Sequence, residues 1–209
     1  MNSPPRVLPA SPLQGERNDV LVLASASPRR EALLRQAGIA IGRIVAPDID
    51  ESPKKAELPR DYALRLALAK LRLVAGTHQP SVVLAADTVV SLGRRILPKA
   101  RTASEVEKCL GLLSGRRHQV LTAVALAVPG TKMRTRLVTT RVAFKVLSAR
   151  EIAAYARSGE GIDKAGGYAI QGRAETFVRF INGSYSNVVG LPLYETVAML
   201  QGCGRLNNE

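Results

Sequence analysis

The stretch VLVLASASPRREALLRQAG, from Val20 to Gly38, decides the fold class. An apolar run over Val20–Ala24 breaks into Ser25-Ala26-Ser27, and Pro28 opens a run of helical spacing that Gly38 closes. Ser27 suits the N-cap, Pro28 the first helical position and Gly38 the residue past the C-terminus. Leu33 and Leu34 precede Ala37 by four and three residues, which gives the helix one packing face. The reading is strand, tight loop, helix. Such a turn aims the amides of Ser25, Ala26, Ser27, Arg29 and Arg30 at one spot, where the helix dipole adds positive charge and two guanidiniums follow. That spot suits a phosphate, whose oxygens an arginine fork matches two at a time. The same pattern also fits an ordinary strand-to-helix turn with two solvated arginines.

Working outward, residues 41–46 (IGRIVA) form a second short strand, followed by the acidic loop Pro47-Asp48-Ile49-Asp50-Glu51. Three carboxylates in an otherwise cationic chain either hold a divalent cation or form a solvated turn. Pro59 starts a long helix to about Ala75, with Ala63, Leu66, Ala67, Lys70 and Val74 on one face. A lysine on an apolar stripe either snorkels to water or points into a buried polar site. Residues 81–90 (SVVLAADTVV) are a continuous apolar run, the pattern of a strand buried on both faces. Asp87 and Thr88 fall near its C-terminal end, where α/β sheets collect ligands. An aspartate there costs several kcal/mol unless it is paired or metal-bound. A purely structural aspartate capping a neighbouring loop is the other reading.

Gly93-Arg94-Arg95 is a turn leading to Ile96-Leu97-Pro98-Lys99-Ala100. Thr102 and Glu105 read as a capping box ahead of a helix whose core face is Val106, Cys109, Leu110 and Leu113. Residues 119–128 and 133–147 form a strand pair around Pro129-Gly130. Val142, Phe144 and Val146 alternate with Arg141, Ala143 and Lys145, so one face is wet. His118, at a strand start, reads as a hydrogen-bonded support. Ser148 and Glu151 form a second capping box, and Ile152, Tyr155 and Ala156 face the core of a helix ending at Gly159. The glycines of Asp163-Lys164-Ala165-Gly166-Gly167-Tyr168 either let a ligand approach the backbone or make a simple turn. The G-x-G here follows a helix, so it fails as a dinucleotide fingerprint, and no Walker lysine loop exists. Thr176–Ile181 is a strand, Asn182-Gly183 a turn, and Leu191-Pro192 opens a last helix.

Composition narrows the class. The length suits one domain, or two small lobes sharing a cleft. Met1–Asn18 is rich in Pro, Ser and Arg without an apolar signal core, and reads as a disordered leader. No apolar run approaches the ~20 residues that span a bilayer. Two cysteines, Cys109 and Cys203, do not suggest a disulfide framework and fit a reduced cytoplasmic protein. The net charge of +13 suits either nucleic acid or a small polyanion. The arginines are scattered and do not cluster with aromatics, which favours the small polyanion.

Taken in order, LASASPRREALLRQAGI, the Arg65-to-Lys70 R-x-A-x-x-K pattern, ADTVV, the Gly115–Thr122 strand entry, DKAGGY with Ile170-Gln171-Gly172, and SYSNVVGLPL resemble the Maf family of nucleoside triphosphate pyrophosphatases, from about Leu21 to Leu200. The resemblance implies an α/β fold: a mixed twisted sheet with flanking helices, two lobes around a deep cleft, within a single catalytic unit over residues 19–209. SPRR, ADT and IQG together resemble the subgroup associated with dTTP, UTP and modified uridine nucleotides. The family usually has L-G-K-P where this chain has Leu97-Pro98-Lys99-Ala100. Lys99 is kept, while Pro98 fixes φ and removes an N–H that glycine would offer.

The implied reaction cuts the α–β phosphoanhydride to release a monophosphate and pyrophosphate. On this resemblance Asp87 activates water or ligates metal, and Glu51 with Asp87 holds Mg2+ or Mn2+. Ser25, Arg29, Arg30, Lys70 and Lys99 bind the phosphates. Arg29, Thr88 and Gln171 set specificity; the Gln171 amide can offer both donor and acceptor to a pyrimidine edge. The expected partner is a small nucleotide, with no stable nucleic acid and no membrane, and a homodimer is left open. The competing expectation is a nucleic-acid-binding or division-regulating interaction protein without turnover.

Overall fold

The structure is a computed structural model and describes residues 20–78 and 81–204. The segment read as a disordered leader, Met1–Asn18, lies outside the described residues. The elements run β1 (Leu21–Ala24), α1 (Pro28–Gln36), β2 (Arg43–Val45), α2 (Pro59–Thr77), β3 (Val82–Leu92), β4 (Arg95–Leu97), α3 (Ala103–Leu113), β5 (Arg117–Ala127), β6 (Arg134–Phe144) and α4 (Ala149–Arg157). A 3-10 turn (Arg173–Phe177), β7 (Val178–Asn182), α5 (Tyr185–Val189) and α6 (Leu193–Gln201) complete the chain.

The strands form one seven-stranded mixed sheet in the order β2-β1-β3-β5-β6-β7, with β4 added to β3. Its parallel part is β2, β1 and the first half of β3; the rest is antiparallel. Because side chains alternate across a strand, β3 feeds two cores. Leu84, Ala86 and Val90 join Leu34, Leu110, Phe144 and Leu200 on one face. Val83, Ala85 and Val89 join Ala63, Ala67, Leu71 and Val74 of α2 on the other. The apolar run is continuous because both faces are covered.

One edge of β3 pairs with β5 along nearly its whole length. The opposite edge pairs with β1 only over Val82–Ala85, and with β4 only over Val90–Leu92. Residues 86–89 therefore have no neighbouring strand on that edge among the described residues. This gap corrects the placement of Asp87 and Thr88: they stand in the middle of β3, at a break in the sheet.

Several local expectations change in detail. Ser27 occupies the N-cap of α1, but its side chain makes no capping bond; the Ser25 hydroxyl accepts the Ser27 amide instead, at 3.2 Å. Thr102 caps Glu105, yet the Glu105 carboxylate turns to the Arg101 amide at 2.6 Å, so the box is half made. The Ser148–Glu151 box is complete. Val146 lies past the end of β6 and is 79% exposed, so the alternation stops at Phe144. A Cβ on Gly166 would meet Val90 at 2.8 Å, and one on Gly167 would meet Cys109 at 3.0 Å. Both have φ near +70° (+67° and +70°), so these glycines serve a turn pressed onto β3 and α3.

Candidate active site

The gap in β3 opens into a cavity of about 460 Å3. Its walls are the Ser25–Arg30 turn, Asp87 with Thr88, Lys99, the segment around Lys164, Gln171 and Gly190. A smaller hollow of about 240 Å3 adjoins it beside α2, sharing Glu51, Asp87 and Lys99. Asp87 points to the α2 face and Thr88 to the other, so the break lets groups from both sides of the sheet reach one opening.

On the α2 side lies a chain of alternating charges. Lys70, buried on the apolar face of α2, donates to Asp87 Oδ1 and reaches Glu51 Oε1, each at 2.6 Å. Lys99 donates to Glu51 Oε2 at 2.5 Å. Lys70 does not snorkel, because two carboxylates meet it inside. Burial pushes the Glu51 carboxyl up, but the ammoniums of Lys70 and Lys99 outweigh it and hold the group down at about 2. The loop that carries Glu51 is tied to α2 through two carbonyls. The Tyr62 hydroxyl donates to Glu51 O at 2.5 Å, and Arg65 donates to Ser52 O at 3.0 Å while gripping Glu57. Asp50 accepts the Ser52 amide at 2.8 Å and is a turn residue.

On the other side Arg30 is a buried brace. Its Nε donates to Gly190 O at 2.8 Å, Nη1 to Ser25 Oγ at 2.9 Å and Nη2 to Thr88 Oγ1 at 3.1 Å. Three of its five N–H groups are thus used within the protein. Burial pulls its pKa down, while Asp87 and Glu51 oppose that shift. Ser25 Oγ accepts from Arg30 and from the Ser27 amide, and its own proton has no acceptor among the described residues. Thr88 is different. Its hydroxyl lies 3.0 Å from Thr122 Oγ1 and 3.4 Å from Gly190 O, while Thr122 donates to Asn187 O at 3.0 Å. The Thr88 proton is spent inside the wall. Donating to a bound base would require Thr88 to release Thr122 or Gly190 O.

The amides of the turn are partly engaged as well. Ser25 N donates to Leu23 O at 3.0 Å and Arg30 N to Ser27 O at 3.1 Å. With the Ser27 amide on Ser25, only those of Ala26 and Arg29 stay open, two of the five expected. Arg29 lines the cavity and makes no hydrogen bond or ion pair among the described residues. Burial first, and Arg30 second, bring it down to about 10. Gln171 is exposed at the cavity rim.

Lys99 sits on a short ladder with the DKAGGY segment. Lys99 bridges Ala165, Ala100 N donates to Lys164 O at 3.2 Å, Asp163 N to Ala100 O at 2.8 Å, and Gly166 N to Pro98 O at 3.1 Å. Pro98 contributes only its carbonyl here, so its missing N–H costs nothing. Ala100 supplies an N–H that a proline at that position would lack. His118 Nε2 lies 2.8 Å from Tyr168 Oη, packed edge-on against Phe144, and is the support its position suggested.

Among the described residues no group of three or more His, Cys, Asp and Glu converges. Mg2+ needs only one or two carboxylates when substrate phosphates complete its shell. Asp87 fits, because Oδ2 makes no hydrogen bond among the described residues. Glu51 would have to yield a lysine first. Sequence reasoning gave no role to Tyr62 or Lys164. A tyrosine three residues before Arg65 signals nothing until the loop folds onto α2, and the lysine of DKAGGY was visible but unplaced.

No helix among the described residues is long and apolar enough to cross a membrane. The chain resembles the dTTP/UTP pyrophosphatase of Sphingopyxis alaskensis, with 59% identity over 184 residues, covering 88% of this chain and 96% of that one. That of Mesorhizobium japonicum is 58% identical over 191 residues, covering 88% and 91%. The Ham1 protein of Staphylococcus aureus, a solved structure, aligns with a TM-score of 0.40 at 15% identity, covering 60% of this chain and 72% of that one. Residues 20–203 match the family described as Maf-like protein, and the chain belongs to that family.

Proposed function

We propose that this chain hydrolyses the α–β phosphoanhydride of dTTP and UTP, giving the monophosphate and pyrophosphate. Relatives bearing that activity in their names, at 53–59% identity over most of the chain, support it. The observation that carries it is the meeting of a carboxylate with an open oxygen, Asp87, and cations from separate segments in one cavity. Preorganised cations facing a polyphosphate stabilise the charge that grows on the leaving pyrophosphate.

In this reading Asp87 takes a proton from the attacking water or holds the Mg2+ or Mn2+ ion through Oδ2. When bound, that ion would polarise a phosphoryl oxygen. Ser25 donates to a phosphate, and Arg29, Lys70 and Lys99 neutralise the tail. Arg30 keeps two N–H groups for it while fixing Ser25 and Thr88. Glu51 holds Lys70 and Lys99 in place; ligation of the ion by Glu51 is secondary to that. Gln171 reads the pyrimidine edge, and Thr88 shapes that wall through Arg30. A cytoplasmic nucleotide pool fits the substrate and the two free cysteines.

A nucleotide panel tests the reading: dTTP, UTP, dCTP, ATP and dGTP with Mg2+ or Mn2+, pyrophosphate being converted to phosphate by an added pyrophosphatase and measured. Turnover of dTTP and UTP well above the rest is expected. No turnover, together with a gel shift that collapses steeply with salt, would establish the competing nucleic-acid reading, which the relatives do not favour.

A further inference from the structure

The cavity has two electrostatic halves. Around Asp87 the charges are compensated: two carboxylates lie between two lysines, all within 2.6 Å contacts. On the far side three cations, Arg29, Arg30 and Lys164, line the wall, and none has a carboxylate within ion-pair distance among the described residues. We propose that Lys164 is a further polyphosphate-binding residue, gripping with Arg29 the pyrophosphate half of a nucleoside triphosphate; this rests on the function proposed above.

The chain next to Lys164 offers a carboxylate that it does not use. Asp163 turns outward to Arg101, Oδ1 to Nη1 at 2.6 Å, and both are exposed. Lys164 Nζ donates only to Ile162 O, at 3.0 Å. An ammonium has three N–H groups, so two remain. A half-buried lysine that forms no ion pair and faces an arginine carries repulsion that Asp163 offsets only in part and that a polyanion would remove. Burial first and Arg29 second lower its pKa, in keeping with that placement.

The backbone keeps Lys164 there. Asp163 has φ +58°, in the left-handed region that aspartate enters more readily than most non-glycine residues. The bonds from Asp163 N to Ala100 O and from Ala100 N to Lys164 O hold it, alongside the Lys99–Ala165 bridge. Lys99 and Lys164 thus ride on two paired segments, one ending in the compensated half and the other in the uncompensated half. A triphosphate laid between them would put its α-phosphate near Asp87 and its leaving pyrophosphate against Arg29 and Lys164.

Product inhibition separates these halves. Inorganic pyrophosphate and dTMP would be titrated, in Mg2+, into the wild type, Lys164→Met and Lys164→Arg, by calorimetry and as inhibitors of dTTP hydrolysis. Loss of one charge-assisted contact predicts that Lys164→Met weakens pyrophosphate about tenfold and raises the KM for dTTP similarly. Its dTMP affinity and melting temperature stay near wild type, and Lys164→Arg restores pyrophosphate binding. Unchanged pyrophosphate affinity in Lys164→Met, in an enzyme that still cleaves dTTP, overturns this proposal alone. Equal weakening of dTMP and pyrophosphate overturns it too, since a general loosening of the loop would do that. A wild type that neither binds pyrophosphate nor cleaves dTTP overturns this proposal and the function together.

Discussion

Lys70 Nζ stands 2.6 Å from Asp87 Oδ1, an ammonium from the apolar face of α2 set against a carboxylate from the middle of β3. Both side chains are nearly closed to solvent, at 7% and 5% exposure. Breaking a buried pair from one side strands a charge. Asp87→Asn keeps an oxygen for Lys70 to donate to, and Glu51 still balances the ammonium. The variant is therefore expected to fold, with a melting temperature lower by a few degrees, while pyrophosphate release falls about 10^2–10^4-fold, the usual worth of a positioned acid or base. Parallel measurement of turnover and thermal unfolding checks it. Full activity in a folded Asp87→Asn protein would remove Asp87 from the chemistry.

What the sequence revealed of this pair, and what it hid, has a physical logic. Lys70 is legible because 3.6-residue periodicity puts it among Ala63, Leu66, Ala67 and Val74, all buried. Asp87 is legible because a charge inside an apolar strand demands a partner. The gap at residues 86–89 was not legible, since it depends on where β1 stops and where the β4 hairpin begins. Neither boundary is written into β3 itself. Arg30 was readable as a cation near a helix N-terminus, but its main acceptor, Gly190 O, lies 160 residues away. The role of Thr88 is masked in the same way, because its hydroxyl is engaged by Thr122 on a neighbouring strand and by Gly190 O, 102 residues on. Local periodicity reports faces; it does not report which distant carbonyl completes a guanidinium.

The three-armed bond pattern of Arg30 predicts an asymmetry between the two arginines of the turn. A lysine at position 30 keeps the charge but cannot span Gly190 O, Ser25 Oγ and Thr88 Oγ1 at once. Arg30→Lys is expected to lose about 2 kcal/mol of stability, two net hydrogen bonds, and to lower the melting temperature by about 4–8 °C. Activity should fall with it, because Ser25 and Thr88 lose their fixed positions. Arg29 has no protein partner to lose. Arg29→Lys should leave the melting temperature unchanged and raise KM by several-fold. Equal melting shifts for the two variants would contradict the brace.

His118 gives the fold a pH signature. Burial against Phe144 and Tyr168 lowers its pKa from 6.5 to about 4. Between those values the unfolded chain binds a proton that the folded chain refuses. Stability from this group is complete above about pH 6.5, falls as pH drops toward 4, and changes no further below that. The window corresponds to on the order of 3 kcal/mol. Denaturant unfolding at pH 7.5 and pH 4.5 measures it, with His118→Gln as the reference that titrates everything except this ring. If the wild type loses no more stability than His118→Gln between the two pH values, the imidazole is not held neutral.

Ala100 tests whether the ladder that joins Lys99 to the Lys164 segment matters. Its amide donates to Lys164 O at 3.2 Å and its carbonyl accepts from Asp163 N at 2.8 Å, and the residue is fully buried. Ala100→Pro removes the first bond and keeps the second. The residue before a proline is restricted to extended conformations, and Lys99, in a β-bridge, meets that condition, but the ring must also enter a fully buried position against Lys164 O. The lost hydrogen bond alone costs about 1 kcal/mol, and crowding by the ring adds to it, so the melting temperature should fall by at least about 2–4 °C. Lys99 and Lys164 would lose part of their alignment, so KM for the triphosphate should rise by more than kcat falls. A variant with lowered kcat and unchanged KM would place the ladder's influence at Asp87 instead of at the phosphate tail.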